Sequence, residues 1–117
     1  MKVMFVNEDE NPFAEWIVDG FKTVETRNKR MLSALVGERV AIASTMKNSK
    51  PVILGYVDVK AERWCAIEYM REKTRIPEDS KYNAHFKWCY FLENPERCYP
   101  YIVPANAVRH GRSWCEF

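Results

Sequence analysis

The chain has 117 residues, with 18 Lys and Arg against 16 Asp and Glu, for a net charge of +2. That length fits one domain, and a balance so close to neutral does not announce a nucleic-acid binder; any basic surface has to come from local clustering. Hydrophobic residues at 47% and aromatics at 14% supply a packed core with rings to spare for stacking surfaces.

In chain order, residues 1–6 predict a short strand that runs into the acidic loop Asn7-Glu8-Asp9-Glu10. This start has no long apolar run, so neither a signal peptide nor a membrane span is expected, and the expected location is cytoplasmic. Asn11 is placed to cap a helix with Pro12 at its first position, and Phe13, Trp16 and Ile17 give that helix one apolar face. Asp19-Gly20 closes it, because glycine accepts the left-handed conformation of a helix C-terminus. Residues 21–27 read as extended, since Thr23, Val24 and Thr26 are β-branched. Asn28 predicts the cap of a second short helix over residues 29–35, closed by Gly37.

Residues 39–44 and 52–59 read as strands, the second with Gly55 marking a bulge or a close backbone approach. Residues 62–73 predict a helix with Trp64, Ile67 and Met70 along one side. Residues 74–86 are polar and irregular, and residues 88–92 and 101–103 complete the strands. The tail carries Arg109, His110, Gly111, Arg112, Ser113 and Trp114 without an assigned element. Strands this short and numerous favour a closed or nearly closed barrel, which removes exposed edges. No repeat or linker divides the chain, so residues 1–117 are expected to form a single domain.

The chemistry concentrates in Gly20-Phe21-Lys22-Thr23-Val24-Glu25-Thr26-Arg27, a Gly-x-Lys-x-x-Glu-x-Arg pattern at a helix-to-strand joint. Alternation along a strand puts Thr23, Glu25 and Arg27 on one face. Glu25 and Arg27 can therefore pair, and Lys22 can swing toward the same cleft. A lysine beside a carboxylate stays charged, whereas a desolvated one becomes a base or nucleophile. By spacing alone the pair fits a solvated barrel edge at least as well. Ser44 and Thr45 end a strand, where hydroxyls serve a cleft rim or an ordinary turn.

Basic residues gather at Arg27, Lys29 and Arg30, at Lys47 and Lys50, and at Arg109 and Arg112. Trp16, Trp64, Trp88 and Tyr90 fit core positions, while Tyr82, Phe86 and Trp114 are the candidates for stacking on bases. The cysteines Cys65, Cys89, Cys98 and Cys115 form no Cys-x-x-Cys pair and read as reduced thiols. His85 and His110 stand alone. Neither a metal centre nor a cofactor is expected.

The helix at Pro12, the Gly20 to Arg27 signature, the strand Gly37-Glu38-Arg39-Val40-Ala41-Ile42-Ala43-Ser44, the Gly-containing strand around Gly55 and the aromatic strand Lys87-Trp88-Cys89-Tyr90-Phe91-Leu92 occur in one order. In that order they resemble the ASCH family of PUA-like domains, closely over residues 12–59 and loosely beyond. The resemblance implies an α+β fold: a small PUA-like β-barrel of about five or six strands with two or three short helices. It also implies an RNA- or modified-nucleoside-binding cleft around Gly20, Lys22, Glu25, Arg27, Ser44 and Thr45. Lys22 and Arg27 would contact phosphate or base oxygens, and Glu25 would orient them or accept a hydrogen bond from an exocyclic amine.

One similar bacterial branch hydrolyses N4-acetylcytidine with a lysine, a threonine three residues later and a distant glutamate. Lys22 matches the lysine, Glu25 stands at the threonine position, and Glu68 and Glu72 fall in the region of the glutamate. A hydrolase in this cleft, either an N-acylated nucleoside amidohydrolase or a ribonuclease, would use Lys22 as base and Glu25 to assist water. A protein-interaction module is the remaining alternative, marked by an apolar patch of Tyr82, Phe86, Tyr99 and Tyr101. A monomer or weak dimer is expected, with no protein partner indicated.

Overall fold

A computed structural model describes residues 1–117. Seven strands form one mixed sheet: β1 (Lys2–Asn7), β2 (Val24–Arg27), β3 (Arg39–Thr45), β4 (Val52–Ala66), β5 (Phe86–Ile102), β6 (Val108–His110) and β7 (Trp114–Glu116), in the order β2-β5-β4-β3-β1-β7-β6. Two short helices accompany them, α1 (Phe13–Val18) and α2 (Arg71–Thr74). β1 and β3 run parallel; the other pairs are antiparallel. The seventh strand arises in the tail, which folds back at Gly111 (φ +72°) into the β6–β7 hairpin and lies along β1. No helix is long and apolar enough to cross a membrane.

β1 and β3 are buried on both faces, and their alternation divides two cores. Met4, Val6, Val40 and Ile42 join α1 in the larger cluster, while Val3, Phe5, Ala41 and Ala43 join Ile53 in the other. α1 buries Phe13, Ala14, Ile17 and Val18. Pro12 occupies the cap rather than the first helical position, and Asn11 contributes its backbone carbonyl, not its side chain. The side-chain oxygen serving this end is Glu8 Oε2, which accepts from the Glu15 amide at 3.0 Å.

Two expected helices give way to tertiary pairing. Residues 62–66 extend β4, with Trp64 opposite Trp88 and Arg63 opposite Cys89. Only Ile67–Tyr69, a 3-10 turn, and α2 remain of that helix. The apolar spacing of Trp64, Ile67 and Met70 fits a helix, but β5 offers a full ladder of backbone partners and wins. Trp64 consequently leaves the core, 52% exposed. The helix at 29–35 shrinks to a 3-10 turn at Ser33–Leu35. This segment is tied down from outside itself: the Leu32 amide donates to Tyr90 Oη at 3.2 Å, and Ser33 Oγ and Tyr90 Oη each donate to Glu62 Oε2 at 2.6 Å.

The two separately expected late strands are one 17-residue strand, β5, which pairs with the 15-residue β4 through three register shifts. This length and irregularity bend the hairpin and carry β2, at the end of the sheet order, round toward β1. No backbone ladder joins β2 to β1; the Arg27 guanidinium crosses the gap instead, Nη2 donating to the Phe5 carbonyl at 2.6 Å. The same strand separates the aromatic residues expected to share a patch. Phe86 begins β5, whereas Tyr99 and Tyr101 lie near its end and Tyr101 Oη is 2.8 Å from Tyr56 Oη.

Gly55 stands at one of the shifts with no room for a side chain. An added Cβ would lie 2.1 Å from the Glu96 carbonyl oxygen and 2.9 Å from Val18 Cγ1. Gly55→Ala is therefore expected to cost about 3 kcal/mol in urea denaturation, the upper end of overpacking penalties. Gly37→Ala, at φ +85° in open space, should cost only about 1 kcal/mol, the penalty of a left-handed non-glycine residue. Equal costs at the two positions would refute this account of Gly55.

Candidate functional site

The joint between α1 and β2 sets the first functional side chain. Gly20 turns at φ +79°, and the Phe21 and Lys22 amides then both donate to the Trp16 carbonyl, at 2.9 and 3.0 Å. This tight exit turns Lys22 inward, where it is 1% exposed. Its ammonium donates to the Thr74 carbonyl at 2.5 Å, stands 3.5 Å from Glu25 Oε1 and lies 4.9 Å from the Phe13 ring centroid.

Glu25 is buried on β2 with both oxygens engaged. Oε1 accepts from the Thr26 amide at 3.1 Å, and Oε2 accepts from Arg27 Nη2 at 3.0 Å. Burial pushes the Glu25 carboxyl pKa up, but Lys22 and Arg27 outweigh it and hold the group below the ordinary carboxylate value. For Lys22 the balance is reversed. Burial pushes the ammonium down, Glu25 opposes this, and the net shift is downward.

A further buried cation joins them. Lys87 on β5 is 3% exposed and donates to the Tyr82 carbonyl at 2.9 Å. Burial lowers its pKa against the pull of Glu25. Nothing in the signature at 20–27 points to this residue. The one signal is a single lysine within the otherwise apolar run Phe86-Lys87-Trp88-Cys89-Tyr90-Phe91-Leu92.

These groups line a pocket of about 370 Å³ in the gap between β2 and β1. Phe5, Val6 and Asn7 form one wall and Glu25, Thr26 and Arg27 the other, with Phe13, Asn28, Met31, Ile76 and Tyr82 among the rest of the lining. Four cations, Lys22, Arg27, Lys87 and Arg112, face a single carboxylate, Glu25. The cationic excess of the whole chain is only +2, so this pocket concentrates positive charge that the composition hides.

The other expected site residues fall differently. Thr45 lines the pocket, whereas Ser44 does not; its hydroxyl donates to Glu8 Oε1 at 2.5 Å. Gly20 also lies outside the lining and serves the turn, close to Pro95. Of the basic clusters, Arg27 and Arg112 reach the pocket. Arg30 binds Glu62 at 2.6 Å, and Arg109 lies over the Phe5 ring. Of the stacking candidates, Tyr82 lines the pocket; Phe86 stacks on Trp64 and Trp114 on His110. Glu68 and Glu72 are both outside the lining, with Glu68 3.4 Å from His85 Nδ1.

No protein-family model matches the sequence, and no curated protein does. Solved structures do match. The ASCH protein of Zymomonas mobilis superposes with a TM-score of 0.73 at 20% identity, over 99% of this chain and 86% of that one. A Tyr-to-Phe variant of that protein gives 0.72 at 21% identity over 99% and 88%, and a Ser-to-Ala variant 0.72 at 20% over 99% and 87%. The chain thus has the α+β fold of these ASCH structures.

Neutralising Glu25 would leave Lys22, Arg27 and Lys87 buried together without a counter-charge. Glu25→Gln is expected to cost about 3 kcal/mol at neutral pH, as broken buried pairs do. Because the folded carboxyl pKa lies below the ordinary value of 4.5, the stability it contributes is complete above that value. It is lost as pH falls through the folded pKa. Urea midpoints of wild type and variant should therefore converge on acidification; a constant difference down through that range would refute the assignment.

Proposed function

We propose that the pocket between β1 and β2 binds RNA or a modified nucleoside, with Lys22, Glu25 and Arg27 as its recognition set. The observation that carries this reading is a buried carboxylate kept ionised between cations at the wall of a nucleoside-sized pocket. The shared ASCH fold is consistent with it. A carboxylate offers about four lone-pair sites. Two are used by Thr26 and Arg27 and a third faces the Lys22 ammonium at 3.5 Å, which leaves one for the exocyclic amine of a base. Lys22 and Arg27 supply donors for base or phosphate oxygens, and the Tyr82 ring supplies an aromatic surface. Thr45 and Arg112 extend the polar lining.

A hydrolase in the same pocket is the second reading, favoured by one observation: burial lowers the pKa of Lys22, toward the range of a base, beside an ionised Glu25. In that role Lys22 would take up a proton and Glu25 would orient and polarise water.

Two measurements test these readings. Lys22→Ala and Arg27→Ala should each weaken binding of short single-stranded RNAs or free nucleosides by about tenfold or more, the value of one charge-assisted hydrogen bond. Binding equal to wild type in both variants would overturn the assignment. For the hydrolase, RNA containing N4-acetylcytidine is incubated with wild type, Lys22→Ala and Glu25→Gln and the products are weighed by mass spectrometry. Deacetylation or strand cleavage by wild type alone assigns the chemistry to this pair, whereas activity in both variants removes the pair from it.

A further inference from the structure

Lys87 is a buried cation without a carboxylate of its own. Its one hydrogen-bond acceptor is the Tyr82 carbonyl oxygen, although an ammonium carries three N–H donors. Glu25 is the pocket's only carboxylate, and it is already committed to Lys22, Arg27 and the Thr26 amide. One counter-charge therefore serves three cations that are largely withdrawn from water. Burial depresses the pKa of both lysines, and Glu25 opposes the effect at each. A second negative group in the pocket would complete this balance and use the donors that Lys87 leaves free.

We propose that Lys87 and Lys22 together seat a phosphate group of the ligand, so that the pocket takes a nucleotide or a position within an RNA strand in preference to a free nucleoside. Calling the anion a phosphate rests on the RNA-or-nucleoside reading; the anion seat rests on the buried cations alone. Phosphate suits the arrangement because its several oxygens accept from two ammonium groups and a guanidinium at once. A base carbonyl offers one oxygen and no charge. Glu25 then plays a separate part, keeping the cations in place and facing the base, while the anion sits toward Lys87.

The test is isothermal titration calorimetry of wild type, Lys87→Met and Lys87→Gln. The probes are adenosine, cytidine, their 3′- and 5′-monophosphates, the dinucleotide ApC and inorganic phosphate. At least one phosphorylated probe should bind wild type about tenfold or more tightly than its parent nucleoside, as one added charge-assisted contact gives. That margin should collapse in both variants. Gln keeps a donor for the Tyr82 carbonyl, so loss of the margin in Lys87→Gln assigns the effect to charge rather than to the tether. It also covers the case in which Lys87→Met does not fold.

Phosphorylated probes that bind no more tightly than nucleosides, a margin that survives both substitutions, or no binding by any probe would each overturn the phosphate seat. Lys87-dependent binding of inorganic phosphate, with no probe containing a base doing better, would uphold the anion seat and overturn the RNA reading. Monophosphates bound more tightly than ApC would point to a free nucleotide, and the reverse order to a strand; both uphold the seat.

Discussion

Arg27 holds together what the backbone leaves apart. β2 pairs with β5 and β1 with β3 and β7, but no ladder joins β2 to β1. One guanidinium nitrogen spans this seam, donating to the Phe5 carbonyl and to Glu25 Oε2. The seam is thus a gap in the sheet with a charged clasp across it, and the pocket is the space beside the clasp. A continuous ladder would have closed the cleft. Without the bridge, the Phe5 carbonyl would lose the donor that ties β2 to β1. The clasp also helps to hold Glu25, and Glu25 opposes the downward shift that burial imposes on the Lys22 pKa.

The electrostatics of the pocket follow from that arrangement. A carboxylate alone in this position would be driven toward its neutral form by burial, and a lysine alone would be driven toward the free amine. Placed side by side they restrain one another, and Glu25 stays ionised because Lys22 and Arg27 flank it. The balance is incomplete, since the cations outnumber the carboxylate. A fully compensated cluster would be purely structural; an uncompensated one in a 370 Å³ pocket favours ligands that bring electron-rich atoms. Near-neutral composition conceals this, because the acidic residues elsewhere are spent on local pairs such as Arg39 with Asp58 and Glu96, and Arg97 with Asp19.

Local signals in the sequence are legible where local physics dominates. Glycine at the end of α1, β-branched residues in β2 and the apolar run of β3 each act within a few residues, and each points to the element that forms. The joint at 20–27 is legible for the same reason: Lys22, Glu25 and Arg27 are near in sequence, and strand geometry brings them together. What depends on partners far along the chain is not legible. Residues 62–66 carry a helical spacing that only the ladder with β5 overrides. Ser44 reads as a rim hydroxyl, yet Glu8, 36 positions earlier, accepts its hydrogen bond. Lys87 reaches the pocket from a strand whose pairing with β2 no window of sequence announces.

The walls of the pocket come from Phe5 near one end of the chain and Arg112 near the other, with Lys22, Glu25, Arg27, Thr45, Ile76, Tyr82 and Lys87 among the residues between them. Sites assembled from such distant segments have a kinetic signature. Loop-closure entropy has to be overcome before any of these contacts is gained, so the cavity comes into being with the last long-range closures of the chain. A ligand that binds this pocket and not the unfolded chain stabilises every segment that builds it, and so reports on contacts far apart in the sequence.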